Sequence, residues 1–138
     1  MTKASLESLV EVYKHLSVQS ILDMKENFGE VSMAVIRKMN DDCLSSFDVH
    51  VGDDIVCAGF VYDAGEVYNL VVYTTTRFTQ HKDECRDAIQ EALKPLKDKE
   101  INSIIYGGAN TVLGVLYSVG FAPIKKVRGY KVLELVRR

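Results

Sequence analysis

The sequence has no excess of charge of either sign. Seventeen Lys and Arg stand against nineteen Asp and Glu over 138 residues, a net charge of −2. No global field therefore draws a polyanion, and nucleic acid is an unlikely partner on charge alone. There is no apolar run near the roughly 20 residues that cross a bilayer, so no membrane span is expected. Nothing at the N-terminus reads as a signal peptide. Cysteine is sparse: Cys43, Cys57 and Cys85 are odd in number, widely spaced, and form no C-x-x-C or His/Cys pair at ligand spacing. That argues against a zinc site and for a reducing, cytoplasmic environment. His15, His50 and His81 lie in separate segments, so no Ser/His/Asp or Cys/His arrangement can be built from them. Repeats, linkers and low-complexity segments are missing too. What remains is a globular composition, 47% hydrophobic and 26% charged, with mean hydropathy near zero.

The length suits one domain over 1–138, with a helical N-terminal part (1–45) and a sheet core with two helices (46–136). Residues 2–28 read as helical, since Leu6, Leu9, Val10, Tyr13 and Leu16 recur at spacings of three and four. A break is expected near Ser17, and Gly29 is a natural stop. Met33, Val35, Ile36 and Met39 fit either a helix or a strand, ended by Asn40-Asp-Asp42. Three strands follow, at 47–51, 55–62 and 66–73, joined by short Asp- and Gly-containing turns that mark an antiparallel meander.

The clearest helix spans 83–94. Cys85, Ala88, Ile89, Ala92, Leu93 and Leu96 share one face, and Pro95 ends it. A buried strand at 101–106 follows this crossover and is therefore expected parallel to the third strand. A short helix at 111–119 and a hairpin of 121–127 and 130–136 complete an α+β arrangement with a mixed sheet. The C-terminal segment is locally basic, with Lys125, Lys126, Arg128, Lys131, Arg137 and Arg138. This is open to a polyanion contact or to a solvated edge strand.

The stretch Ile104-Ile-Tyr-Gly-Gly-Ala-Asn-Thr-Val-Leu-Gly-Val-Leu-Tyr-Ser-Val-Gly-Phe121 carries the most specific signal. Its order of strand, Asn, short helix, Leu-Tyr and Gly-Phe resembles the second half of the acetyl-CoA-binding fold of the GNAT family of N-acetyltransferases. With the element order, the resemblance covers about Ser46 to Val136. It implies a GNAT-like sheet flanked by helices, with acetyl-CoA wedged between the third strand and the next parallel strand. It also implies a phosphate loop of the form Arg/Gln-x-x-Gly-x-Gly/Ala before the long helix. Here Arg77 follows Val72 at the family's spacing, but Phe78-Thr79-Gln80-His81-Lys82 comes next. Gln80 and Lys82 stand where glycines should be, and their Cβ atoms disfavour positive φ. Arg77 and Lys82 still offer charge to a phosphate.

By the same resemblance, Val72, Arg77, Phe78, Gln80, Lys82 and Asn110 are the cofactor-binding positions, with Asn110 also open to a plain N-cap role. Tyr117 matches the tyrosine that can protonate the departing thiolate, although the helix from Asn110 to Gly120 is one residue shorter than the usual pattern. Glu66, entering the third strand, is the carboxylate best placed in sequence to be a general base. Tyr68 and Tyr73 could position substrate, or simply pack.

Two functions follow. One is an N-acetyltransferase joining acetyl-CoA to an unknown amine. The other is a non-catalytic protein on the same fold, acting through protein partners or as a homo-oligomer. A faint resemblance to acetyltransferase-like internal virion proteins of short-tailed phages points to that second class, with location in the virion rather than the cytoplasm.

Overall fold

The computed structural model describes residues 2–106 and 111–137. Three helices open the chain: α1 (Leu6–Lys14), α2 (Val18–Phe28) and α3 (Met33–Asp42). Each begins on a serine. Ser5, Ser17 and Ser32 accept from the N–H groups of Ser8, Ser20 and Val35, which satisfies donors that a helix start leaves free. The expected break near Ser17 is thus a cap, and Gly29 ends α2 at φ 78, as its lack of Cβ allows. The ambiguous segment around Met33 is helix, and it runs through Asn40-Asp-Asp42 instead of stopping before them.

The meander is β1 (Ser45–Val51), β2 (Asp54–Asp63) and β3 (Val67–Thr74). Then come α4 (Lys82–Leu93), β4 (Glu100–Tyr106), α5 (Thr111–Val119), β5 (Phe121–Val127) and β6 (Tyr130–Leu135). Among the described residues the strands form one sheet in the order β1-β2-β3-β4-β6-β5. β3 and β4 are parallel and the remaining neighbours antiparallel. The mixed sheet matches the reading of the sequence, including the parallel pair reached through α4.

Two cores sandwich this sheet. Side chains alternate along β3, so Tyr68, Leu70 and Val72 join Cys85, Ile89 and Leu93 of α4 and Val112 and Leu116 of α5. Tyr73 points the other way, into a cluster with Leu9 and Val12 of α1, Met24 of α2 and Ile36 and Met39 of α3. The three cysteines are free and buried. Among the described residues no helix is long and apolar enough to cross a membrane.

Candidate functional site

The parallel pair is short. Val67 faces Glu100, Tyr68 faces Ile101 and Asn69 faces Asn102, and the ladder ends there among the described residues. One further link follows: Ser103 Oγ donates to the Leu70 carbonyl at 2.8 Å. The Leu70 carbonyl therefore points towards β4. Main-chain orientation repeats every second residue, so the N–H and C=O of Val72 point into the same gap, where no strand meets them among the described residues.

Helix α2 spans the mouth of that gap. On the β3 side, Thr74 N–H donates to Ser20 Oγ at 2.8 Å, and Ser17 N–H donates to the Thr74 carbonyl at 2.9 Å. On the β4 side, Tyr106 N–H donates to Asp23 Oδ1 at 3.2 Å, and Gln19 Nε2 donates to the Tyr106 carbonyl at 3.3 Å. Three side chains and one main-chain N–H of one helix segment thus replace the ladder that the diverging strands give up.

Asp23 is the unusual member. It is only 8% exposed. Burial pushes its carboxyl up to about 6, against the opposing pull of the Tyr106 N–H bond. The Tyr73 hydroxyl lies nearby, buried and without a hydrogen-bond partner among the described residues. Burial first, and then the Asp23 charge, hold that phenol well above its ordinary range, so it stays protonated. A buried acid with a pKa near neutrality, beside a phenol free to bond, is a common arrangement for proton transfer.

The loop before α4 is differently built from the expected phosphate cradle. Phe78–Gln80 forms a 3-10 turn, and no non-glycine residue of the described chain has positive φ. The Phe78 side chain lies in the core cluster with Cys85 and Ile89, so only its main chain is left to meet a cofactor. Arg77 Nε lies 3.7 Å from Asp54 Oδ1, and His81 Nε2 lies 3.5 Å from Asp54 Oδ2. Gln80 and Lys82 are exposed, and the first turn of α4 carries Asp83 and Glu84. Those carboxylates suit the positive helix end themselves and would repel an anion there.

Glu66 is exposed at the start of β3, the end where β3 still pairs with β4. Val72 lies six residue steps further along the chain, roughly 20 Å away. The gap and Glu66 are therefore at opposite ends of the strand, and the expected base is not brought to the site. Tyr117 is 44% exposed on α5, outside the face formed by Val112, Leu113, Val115 and Leu116. Among the described residues its hydroxyl has no hydrogen-bond partner. Tyr68 donates to Asp98 at 2.9 Å at the paired end of β3, away from the gap. Asn110 lies outside the described residues.

Asp23 is what the sequence reading missed. A signal for it exists. Ser20, Asp23 and Met24 all fall on the buried face of α2, so a carboxylate sits where the helical spacing calls for an apolar residue.

No protein-family model and no curated relative matches the sequence. Solved structures do match. The PaiA N-acetyltransferase of Thermoplasma acidophilum, in complex with coenzyme A, superposes with TM-score 0.65 at 16% identity, over 98% of this chain and 96% of that one. The GNAT domain of S. lividans PAT gives TM-score 0.67 at 14% identity, over 94% and 83%. A Bacillus subtilis acetyltransferase in complex with CoA gives TM-score 0.58 at 14% identity, over 78% and 85%. The fold is that of the GNAT acetyltransferases: an α+β mixed sheet whose central parallel pair splays open.

Proposed function

We propose that the protein is an N-acetyltransferase that takes acetyl from acetyl-CoA to an amine, with Asp23 as its general base. The observation that carries this is the buried Asp23 carboxyl at the mouth of the β3–β4 gap. Acetyl-CoA supplies an activated acetyl thioester. The gap suits the extended, amide-containing arm of that molecule, since Val72 presents a donor and an acceptor at its edge. The loop suits its phosphates poorly, because Arg77 is engaged by Asp54 and no left-handed residue opens a cradle. Val72 would therefore do most of the holding, with exposed Lys82 and Gln80 left to meet the phosphates.

Asp23 Oδ1 is held by Tyr106, so Oδ2 is the atom that takes the amine's proton. Tyr117 remains the candidate acid, on a side chain that is 44% exposed. A reducing cytoplasm fits this activity and the three free cysteines.

A second reading has its own support. Arg77 and His81 facing Asp54, with Asp83 and Glu84 in the first turn of α4, favour a non-catalytic protein on the same fold, such as a virion component. Calorimetric titration with acetyl-CoA, followed by acetyl transfer to a panel of amines, decides between them. Binding and transfer are expected. No binding and no transfer to any amine would favour the second reading.

A further inference from the structure

A pocket of about 300 Å³ opens on the α2–α3 face of the sheet, beside the β3–β4 gap. Its wall is apolar, formed by Val35 and Met39 of α3 and Val71 of β3. Its polar side chains are Asn27, Lys38, Asp42, Tyr62 and Asn69, of which Lys38 is taken up by Asp42. Asn69 Oδ1 is buried and has no hydrogen-bond partner among the described residues. Among the described residues Asn27 Oδ1 receives only a long bond, 3.5 Å, from the Tyr106 hydroxyl. Asp42 stands at the rim, paired with Lys38 at 3.0 Å. A buried acceptor without a donor costs free energy unless a ligand or water satisfies it.

We infer that this pocket seats the amine substrate, and that the substrate is a small primary amine on an apolar body, such as an arylalkyl or branched alkyl amine. This rests on the transferase reading above. Three observations lead to it. The volume lies at the low end for ligand pockets, so the guest is small. The apolar wall requires an apolar body. The buried, unpaired Asn69 Oδ1 calls for an N–H donor, which an ammonium group supplies and a carboxylate or phosphate does not.

Position agrees as well. Asn27 lies four residues beyond Asp23 on α2, about 6 Å along the helix, so the pocket adjoins the base. Val71 lines the pocket and precedes Val72, whose main chain faces the gap. An amine held by Asn69 therefore enters from the face of the sheet opposite α4 and α5.

The test is a calorimetric titration of the full chain with phenethylamine, without acetyl-CoA, beside its trimethylated derivative. The derivative keeps the positive charge and loses every N–H donor. Saturable binding of phenethylamine is expected, weakened roughly tenfold by trimethylation and roughly tenfold by Asn69→Leu. Asn69→Leu should melt no lower than the wild type, because it removes a polar atom that has no partner. Asn69→Asp keeps the acceptor and should bind at least as tightly as wild type. Equal binding of the trimethylated derivative, indifference to Asn69→Leu, or no binding of phenethylamine would overturn the assignment. Binding without acetyl transfer would leave the pocket in place and remove the transferase reading. Transfer to other amines, with phenethylamine neither bound nor acetylated, would remove the pocket assignment alone.

Discussion

Asp23 sets the energetics of the site. Its carboxyl titrates near 6 in the folded chain, above the ordinary carboxylate value of 3.8. Between those two values the folded state binds a proton that the unfolded chain has lost. The stability it contributes is therefore complete below about pH 4 and is lost as the pH rises through 6. The charged form costs up to about 3 kcal/mol at pH 8. Asp23→Asn keeps an oxygen for the Tyr106 N–H and removes the charge. It should raise stability at pH 8 by about 1–3 kcal/mol and change little at pH 4, measured by denaturant unfolding at both. Acetyl transfer should fall by about 10²–10⁴ in the same variant. Wild-type kcat/KM should rise with pH up to about 6 and then level. A destabilised Asp23→Asn with full turnover would contradict the assignment. Tyr117→Phe removes one exposed hydroxyl, so melting should hold while turnover falls by about 10²–10⁴. Full turnover there would end the acid role. Residues were the least legible scale. Glu66 attracted attention because it precedes β3, yet a strand has two ends and sequence proximity does not say which end opens. Asp23 was visible only as a carboxylate on an apolar helical face.

Elements were legible wherever local rules decide them. The unbroken apolar spacing of α4, the turns of the meander and the Gly29 stop all appear in the structure. Ile89 is fully buried on α4, so Ile89→Asp would place an unpaired charge in the core and should cost several kcal/mol, read as lost cooperative unfolding. The segment at Met33 could not be resolved from its own residues, because four apolar positions fit both periods. The Ser32 cap and packing against α1 make it helix. The loop at 77–82 was legible as glycine-poor, but not as a 3-10 turn anchored by Phe78. Asp54, which holds Arg77 and faces His81, lies at the start of β2, beyond any local signal. Asp54→Asn should release Arg77 towards a phosphate and strengthen coenzyme A binding several-fold, measured by calorimetry. Unchanged or weaker binding would show that this ion pair does not limit the loop.

At the scale of the molecule, the parallel β3–β4 pair followed from the helical crossover and its handedness, and the structure has it. The closure of the gap did not follow. Asp23 and Tyr106 are 83 residues apart, and only the packing of the N-terminal helices across the sheet brings them together. The central claim is that the gap between β3 and β4 receives the acetyl donor beside Asp23. Amide resonances of the full chain, followed during titration with acetyl-CoA, test this most directly. The expected result is saturable shifts centred on the amides of Val72, Thr74 and Tyr106, with smaller changes at Gln80 and Lys82. No saturable change, or changes confined to the basic β5–β6 hairpin, would contradict it.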